Sequence, residues 1–254
     1  MLFARVERPT TAVGLALKLL PGWPFRLRHL RETRFLAHML IASFIRCCAA
    51  VALLVLFTSC AGSMSGASSG SLPGVAVRQA LLPRNVHGRL VGRTMRPRYI
   101  TIHGTENVGG TAQQHAQMLF KGMRSRNNPR FGRSGWIVWH YTVDHREAVQ
   151  HLLPTEQGDH ADYGGGGDRS SIGIEICEFR SRSQQAAAID RAARLAAALA
   201  NRYNIPTRNI VPHQHWPRWD YANGKPCPRL FLVNGRVEGR AKWQRFLAQV
   251  ERYR

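Results

Sequence analysis

Acidic residues are scarce in this chain of 254, where 15 Asp and Glu stand against 36 Lys and Arg for a formal net charge of +21. The imbalance is not confined to one end. From Cys60 onward 28 basic residues face 13 acidic ones, a net of +15. Such a surface attracts polyanions, whether nucleic acid, anionic headgroups or the carboxylate-bearing polymers of a cell envelope. Nucleic acid is the weakest of these and is not expected as a partner, because no helix carries a dense basic face and neither finger spacing nor an RNA-binding aromatic signature occurs. No Gly-Lys-Ser/Thr follows the run Gly164-Gly165-Gly166-Gly167, which leaves a phosphate-cradling role weak and a mobile rim loop the expectation.

Long apolar runs are missing as well. The stretch from Ala49 to Phe57 is nine residues, too short to cross a bilayer of ~30 Å as a helix but right for the core of a secretory signal. Phe57-Thr58-Ser59-Cys60 resembles a bacterial lipobox, with Phe57 where Leu is usual and Thr58 where Ala or Ser is usual. On that resemblance Cys60 becomes a lipidated first residue, and Ala61, in the absence of Asp, matches outer-membrane sorting toward the periplasm. Residues 1–59 are then an extension plus signal, with Met1 and Met39 both open as the start. Residues 60–85 read as a Gly/Ser-rich tether, and 86–254 as one folded domain, expected to be a monomer.

Cysteine is equally sparing. Of five, Cys47 and Cys48 fall in the signal and Cys60 at its end, so Cys177 and Cys227 remain in the domain. Two cysteines at such different sites build no disulfide framework. Cys177 reads as a small buried hydrophobe and Cys227, between two prolines, as a metal ligand.

What the chain does contain is an alternation of strand and helix patterns. Tyr99 to His103, Trp136 to Asp144 and Ser171 to Cys177 read as strands, with a hairpin into Glu147 to Leu152. Thr111 to Met123, the Ala-rich Gln184 to Tyr203, and a stretch carrying Trp243, Phe246, Leu247 and Val250 read as helices. This predicts an α/β fold, a central mixed sheet flanked by helices, with strand-end residues gathered along one edge. His103, Glu175 and the loop from His213 to Cys227 can meet there.

Their chemistry is that of hydrolysis. A His ending an apolar run, joined by a late His/Cys pair, offers two nitrogens and a thiolate to Zn²⁺ with a fourth position for water. Alone, His103 reads as a satisfied core histidine; the downstream pair makes it a ligand. Glu175 lies opposite Ile172, Ile174 and Ile176 in an apolar alternation, where a carboxylate is costly unless it faces a cleft or a cation. It suits a general base and acid. His213 and His215 both remain candidates for the second nitrogen, while Trp139 and His140, on opposite faces of one strand, allow at most one to line the cleft.

The order Ile100-Thr101-Ile102-His103, Trp139-His140-Tyr141-Thr142-Val143-Asp144, Ser171-Ile172-Gly173-Ile174-Glu175-Ile176-Cys177, His213 and Lys225-Pro226-Cys227-Pro228 resembles the zinc-dependent N-acetylmuramoyl-L-alanine amidases. This is the type 2 amidase family, similar in fold to peptidoglycan recognition proteins and to phage amidase lysins. The resemblance runs from Arg96 to about Leu232. It implies Zn²⁺ on His103, His213 and Cys227, Glu175 beside the attacking water, and Lys225 facing the developing oxyanion. His160 is an implied substrate contact and peptidoglycan or muropeptides the implied partner, while Trp139, otherwise a core residue, and His215, otherwise a residue orienting His213, are further candidate contacts. The late His and Cys stand closer in the family, so Pro217 to Ala222 is an extra loop here. A non-catalytic muropeptide-binding module is the alternative reading.

Overall fold

The computed structural model describes residues 69–124 and 135–254, and the extension, signal and lipobox readings lie outside them. A seven-stranded sheet in the order β1-β2-β7-β6-β8-β3-β9 forms the centre. Its strands are β1 (Ser69–Leu72), β2 (Val75–Gln79), β3 (Tyr99–Val108), β6 (Tyr141–Val143), β7 (Ala148–Gln150), β8 (Ser171–Glu178) and β9 (Ile210–Pro212). The sheet is mixed: β1/β2 and β6/β7 are antiparallel, whereas β8 runs parallel to both β6 and β3 and β3 runs parallel to β9. A second, two-stranded pair joins β4 (Met123–Arg124) to β5 (Trp136–Ile137).

Side chains alternate across a strand, so the two faces of the central strands part company. Ile100 and Ile102 of β3, with Ile172, Ile174 and Ile176 of β8, are fully buried toward one face. Each contributes roughly 1.5–3 kcal/mol by leaving water. That face is covered by a long helix, Arg182–Tyr203, whose Ala192, Leu195, Ala196 and Leu199 are inaccessible to solvent. The Ser181 hydroxyl caps its start by accepting the Gln184 N–H, and Asn204, left-handed at φ 52°, ends it. A final helix, Ala241–Arg252, closes over it with Trp243, Phe246 and Val250. Taking α1 as Ala112–Lys121 and α2 as Gly166–Ser170, these are α3 and α4.

The other face carries the chemistry. Thr101, His103, Gly173 and Glu175 lie on that face, beside α1, which packs over β6 and β7 and is capped at its start by a reciprocal Thr111/Gln114 box. Among the described residues no helix is long and apolar enough to cross a membrane.

Two expectations change. The tether to residue 85 is too long, because β1 and β2 form the sheet's edge: Leu72, Val75 and Val77 are buried, and the short Val75-Ala76-Val77 alternation is enough to pair with β7. Trp136 to Asp144 is two strands rather than one. Val138 bridges to Asp159 and the chain then bends into β6, which lets both Trp139 and His140 be buried.

Candidate active site

Register brings the site together. His103 of β3 sits directly opposite Glu175 of β8, and Glu175 opposite Thr142 of β6, making a row across three parallel neighbours. On the far side Pro212 ends β9 opposite Ile102, so the turn beginning at His213 starts one residue further along, beside His103. Cys227 arrives from the following loop, where its Sγ accepts the Gly104 N–H at 3.5 Å. One ligand atom each from His103, His213 and Cys227 lies within 4.8 Å of the others, and all three residues are buried.

The imidazole partners fix where the protons are. His160 Nε2 lies 3.2 Å from the Ser171 carbonyl, which can only accept, so that nitrogen donates and Nδ1 of His160 is bare. His103 Nε2, 3.1 Å from His160 Nδ1, must then donate, which leaves His103 Nδ1 bare. His213 Nε2 donates to the Ala161 carbonyl at 2.9 Å, so its Nδ1 is bare too. These two unprotonated Nδ1 atoms face each other at 2.9 Å. Adding a proton is opposed: burial first, and then the crowding of His213 and His160, lowers His103 well below the ordinary histidine value, and burial, then Lys225 and Arg218, lowers His213 to about 3.

Two lone pairs and a thiol in a buried space are what a soft-to-borderline divalent cation requires. Tetrahedral bonds of about 2.0–2.3 Å separate donors by roughly 3.3–3.8 Å, within the spread found here. The residues therefore fit a metal ion.

One loop holds both histidines. Buried Asp168 accepts the N–H groups of His160 and Ala161 at 2.7 Å each and of Gly164 at 2.6 Å. Asp162 returns the favour to Gly167 and Asp168 at 2.8 and 3.1 Å. The Gly-rich run is thus pinned, and its Gly166–Ser170 part is helical.

The N-acetylmuramoyl-L-alanine amidase family, amidase type 2, matches residues 93–230, more than half of the chain. The chain belongs to this amidase family. Among curated relatives, N-acetylmuramoyl-L-alanine amidase XlyA of Bacillus subtilis (strain 168) is 40% identical over 161 residues, covering 62% of this chain and 48% of that one. CwlH of the same organism, also an N-acetylmuramoyl-L-alanine amidase, is 37% identical over 162 residues, covering 62% and 57%. The chain spans about half the length of the curated relatives it matches. Among solved structures, the catalytic domain of XlyA superposes with a TM-score of 0.54 at 37% identity, covering 69% of this chain and 99% of that one. PlyL gives 0.51 at 27% identity, covering 68% and 96%.

A cleft of about 520 Å³ opens over the row, lined by His103, His213, Cys227, Glu175 and Lys225 among others. Glu175 Oε1 is 3.9 Å from His103 Nδ1, and its Oε2 is buried without a hydrogen-bond partner. Burial pushes the carboxyl up to about 8; Lys225 opposes this, and Glu106 and Glu178 add to it. Lys225 Nζ pairs with Glu106 Oε1 at 3.2 Å. Burial disfavours its ammonium, yet Cys227, Glu106 and Glu175 hold its pKa above the ordinary lysine value. Burial also pushes the Cys227 thiol up, so a thiolate there calls for a cation.

Of the residues expected at the site, the structure gathers His103, His213, Cys227, Glu175 and Lys225. His215 is not among them: its Nδ1 faces Glu238 at 3.2 Å and its ring lies against Trp216 outside the cleft, because one turn of 3₁₀ helix sends residues two apart in different directions. His215 does not line the cleft. Trp139 lines the cleft, though its indole N–H is spent on Thr142 at 2.7 Å. His160 lines the cleft too, but its ring is buried as the partner of His103.

Sequence reasoning missed Asp168, Arg218 and Glu106. Only for Asp168 was there a signal: a carboxylate closing a glycine run that precedes a buried strand needs backbone donors. Gly173 supports the same assembly, since a methyl group there would lie 2.9 Å from the His160 ring. Gly173→Ala is expected to displace that ring and weaken metal binding by about 10–100-fold, as loss of an orienting partner does. Competition against a chromophoric chelator measures it.

Proposed function

We propose that this protein is a zinc-dependent N-acetylmuramoyl-L-alanine amidase that cleaves the amide between N-acetylmuramic acid and L-alanine in peptidoglycan. The observation that carries the reading is the pair of bare Nδ1 atoms beside Cys227, with the free carboxylate oxygen of Glu175 across the same cleft. His103, His213 and Cys227 would hold the zinc, which when bound supplies Lewis acidity and brings water within reach of ionisation near neutral pH.

The chain's own groups account for the rest. Glu175 Oε2, with no competing partner, takes the proton from the attacking water and returns it to the departing amine nitrogen. Lys225 lies on the same cleft wall and opposes negative charge growing on the carbonyl oxygen, a contribution commonly worth about 3 kcal/mol per donor. His160 and the Ala161 carbonyl keep both imidazoles in the tautomer that presents Nδ1.

Mass analysis of digested sacculi tests the reaction, with free stem peptide beginning at L-Ala as the expected product. Chelator is expected to abolish release and added zinc to restore it. Binding of sacculi without release under zinc-replete conditions would instead make the protein a recognition module.

The same proposal places the domain in the periplasm, anchored to the outer membrane by lipid on Cys60. Cys60→Ser is expected to move the protein from the membrane to the soluble fraction and to abolish labelling by radioactive palmitate.

A further inference from the structure

The extra loop between His213 and Cys227 is a built surface. Arg218 and Tyr221 exchange backbone hydrogen bonds at 3.0 Å in both directions, closing a tight turn. Gly224, at φ +77°, lets the loop return past Gln214, where any side chain would strike the Gln214 carbonyl. Three aromatic rings gather around it. The Arg218 guanidinium lies 4.3 Å over Tyr163 and 5.4 Å from Tyr221, and Trp219 stands 6.0 Å from Tyr163 at an interplanar angle of 34°. Arg218, Asp220, Tyr163 and Tyr221 line the cleft that holds His103, and Arg218 Nη1 reaches to 3.5 Å from His213 Nε2.

Rings used only for packing are buried, but Trp219 is 47% and Tyr221 41% exposed. Rigid aromatic side chains offer contact area at little conformational cost. The charge beside them is already spent: Asp220 takes two hydrogen bonds from Arg218, which also donates to the Tyr163 hydroxyl at 2.6 Å. A neutralised guanidinium does not select an anion. Stacking faces edged with satisfied polar groups that can still share hydrogen bonds suit a neutral, hydroxyl-bearing ring with an apolar C–H face.

We propose that Tyr163, Trp219 and Tyr221, with the Arg218/Asp220 pair, form a subsite for a pyranose ring of the glycan strand, at the mouth of the catalytic cleft. The assignment to glycan rests on the amidase reading; the affinity for sugar does not.

The test titrates the full-length protein with N-acetylchitotetraose, a peptide-free amino-sugar polymer, and follows the indole N–H resonance of Trp219, assigned with Trp219→Phe. A saturable shift is expected, with affinity at least five-fold weaker in Tyr221→Ala. The same variant is expected to raise KM for glycan-bearing fragments at least five-fold, the loss falling on KM rather than kcat. No shift with the sugar overturns the subsite, as does a shift produced only by a glycan-free stem peptide. Should the variant misfold, the wild-type titrations with the two probes still decide. If the sugar shifts Trp219 but sacculi release no peptide, the amidase reading falls and the subsite stands.

Discussion

Glu175→Gln is expected to lower peptide release by about 10²–10⁴-fold, the usual worth of a general acid–base residue, while the metal content stays unchanged. The substitution keeps the shape and removes the group that accepts and returns the proton. Its second effect is on stability and runs the opposite way. In protein stripped of metal the carboxyl of Glu175 is raised to about 8 by burial, well above its value in an unfolded chain. Such a group favours folding fully at low pH, and that contribution is lost as pH rises from about 4.5 to about 8. Gln carries no such penalty, so the metal-free variant should be more resistant to heat than the parent at pH 8 to 9 and indistinguishable from it near pH 4. Thermal unfolding at three pH values checks this. Retained turnover in the variant would remove Glu175 from the reaction.

Asp168→Ala should be the most damaging single change outside the cleft. It strands two buried N–H groups, those of His160 and Ala161, and a part-buried one, that of Gly164. At about 1–3 kcal/mol for each unsatisfied donor, a loss near 3–5 kcal/mol is expected. For a domain of this size that is a fall in Tm of roughly 6–20 °C. Metal affinity should fall with it, because the Ala161 carbonyl and the His160 ring are what hold His213 and His103 in place. Asp168→Asn keeps one acceptor oxygen and should fall between parent and Ala. Calorimetry and zinc competition on the same samples test both effects; an unaltered Tm in Asp168→Ala would show that the loop is held by other contacts.

The parts of this molecule that announce themselves in sequence are those whose residue type has few alternative uses. Ile172 to Ile176 and the Ala-rich α3 are strongly periodic and fold as read. His103, Glu175, His213 and Cys227 are chemically conspicuous, and the resemblance supplies their order; the structure then brings them to one place. His213 could not be told from His215 by spacing, since the choice is made by the direction of a single 3₁₀ turn. The edge hairpin of β1 and β2 was hidden by its Gly/Ser surroundings, a short alternation of Val75 and Val77 being its main sign. Asp168 shows in sequence only as a carboxylate closing a glycine run, because its partners are backbone N–H groups 4 to 8 residues away, and Arg218 acts through the Tyr163 hydroxyl 55 residues away, a pairing that no side-chain pattern encodes.

The fixed tautomers have a thermodynamic corollary. With both imidazoles neutral and their ligating nitrogens already bare, loading the site need strip no hydrogen ion from either ring. What must leave is the thiol's own, together with whatever Glu175 still carries below pH 8. Uptake near neutrality should therefore acidify an unbuffered solution by at least one equivalent, and the apparent affinity should rise with pH.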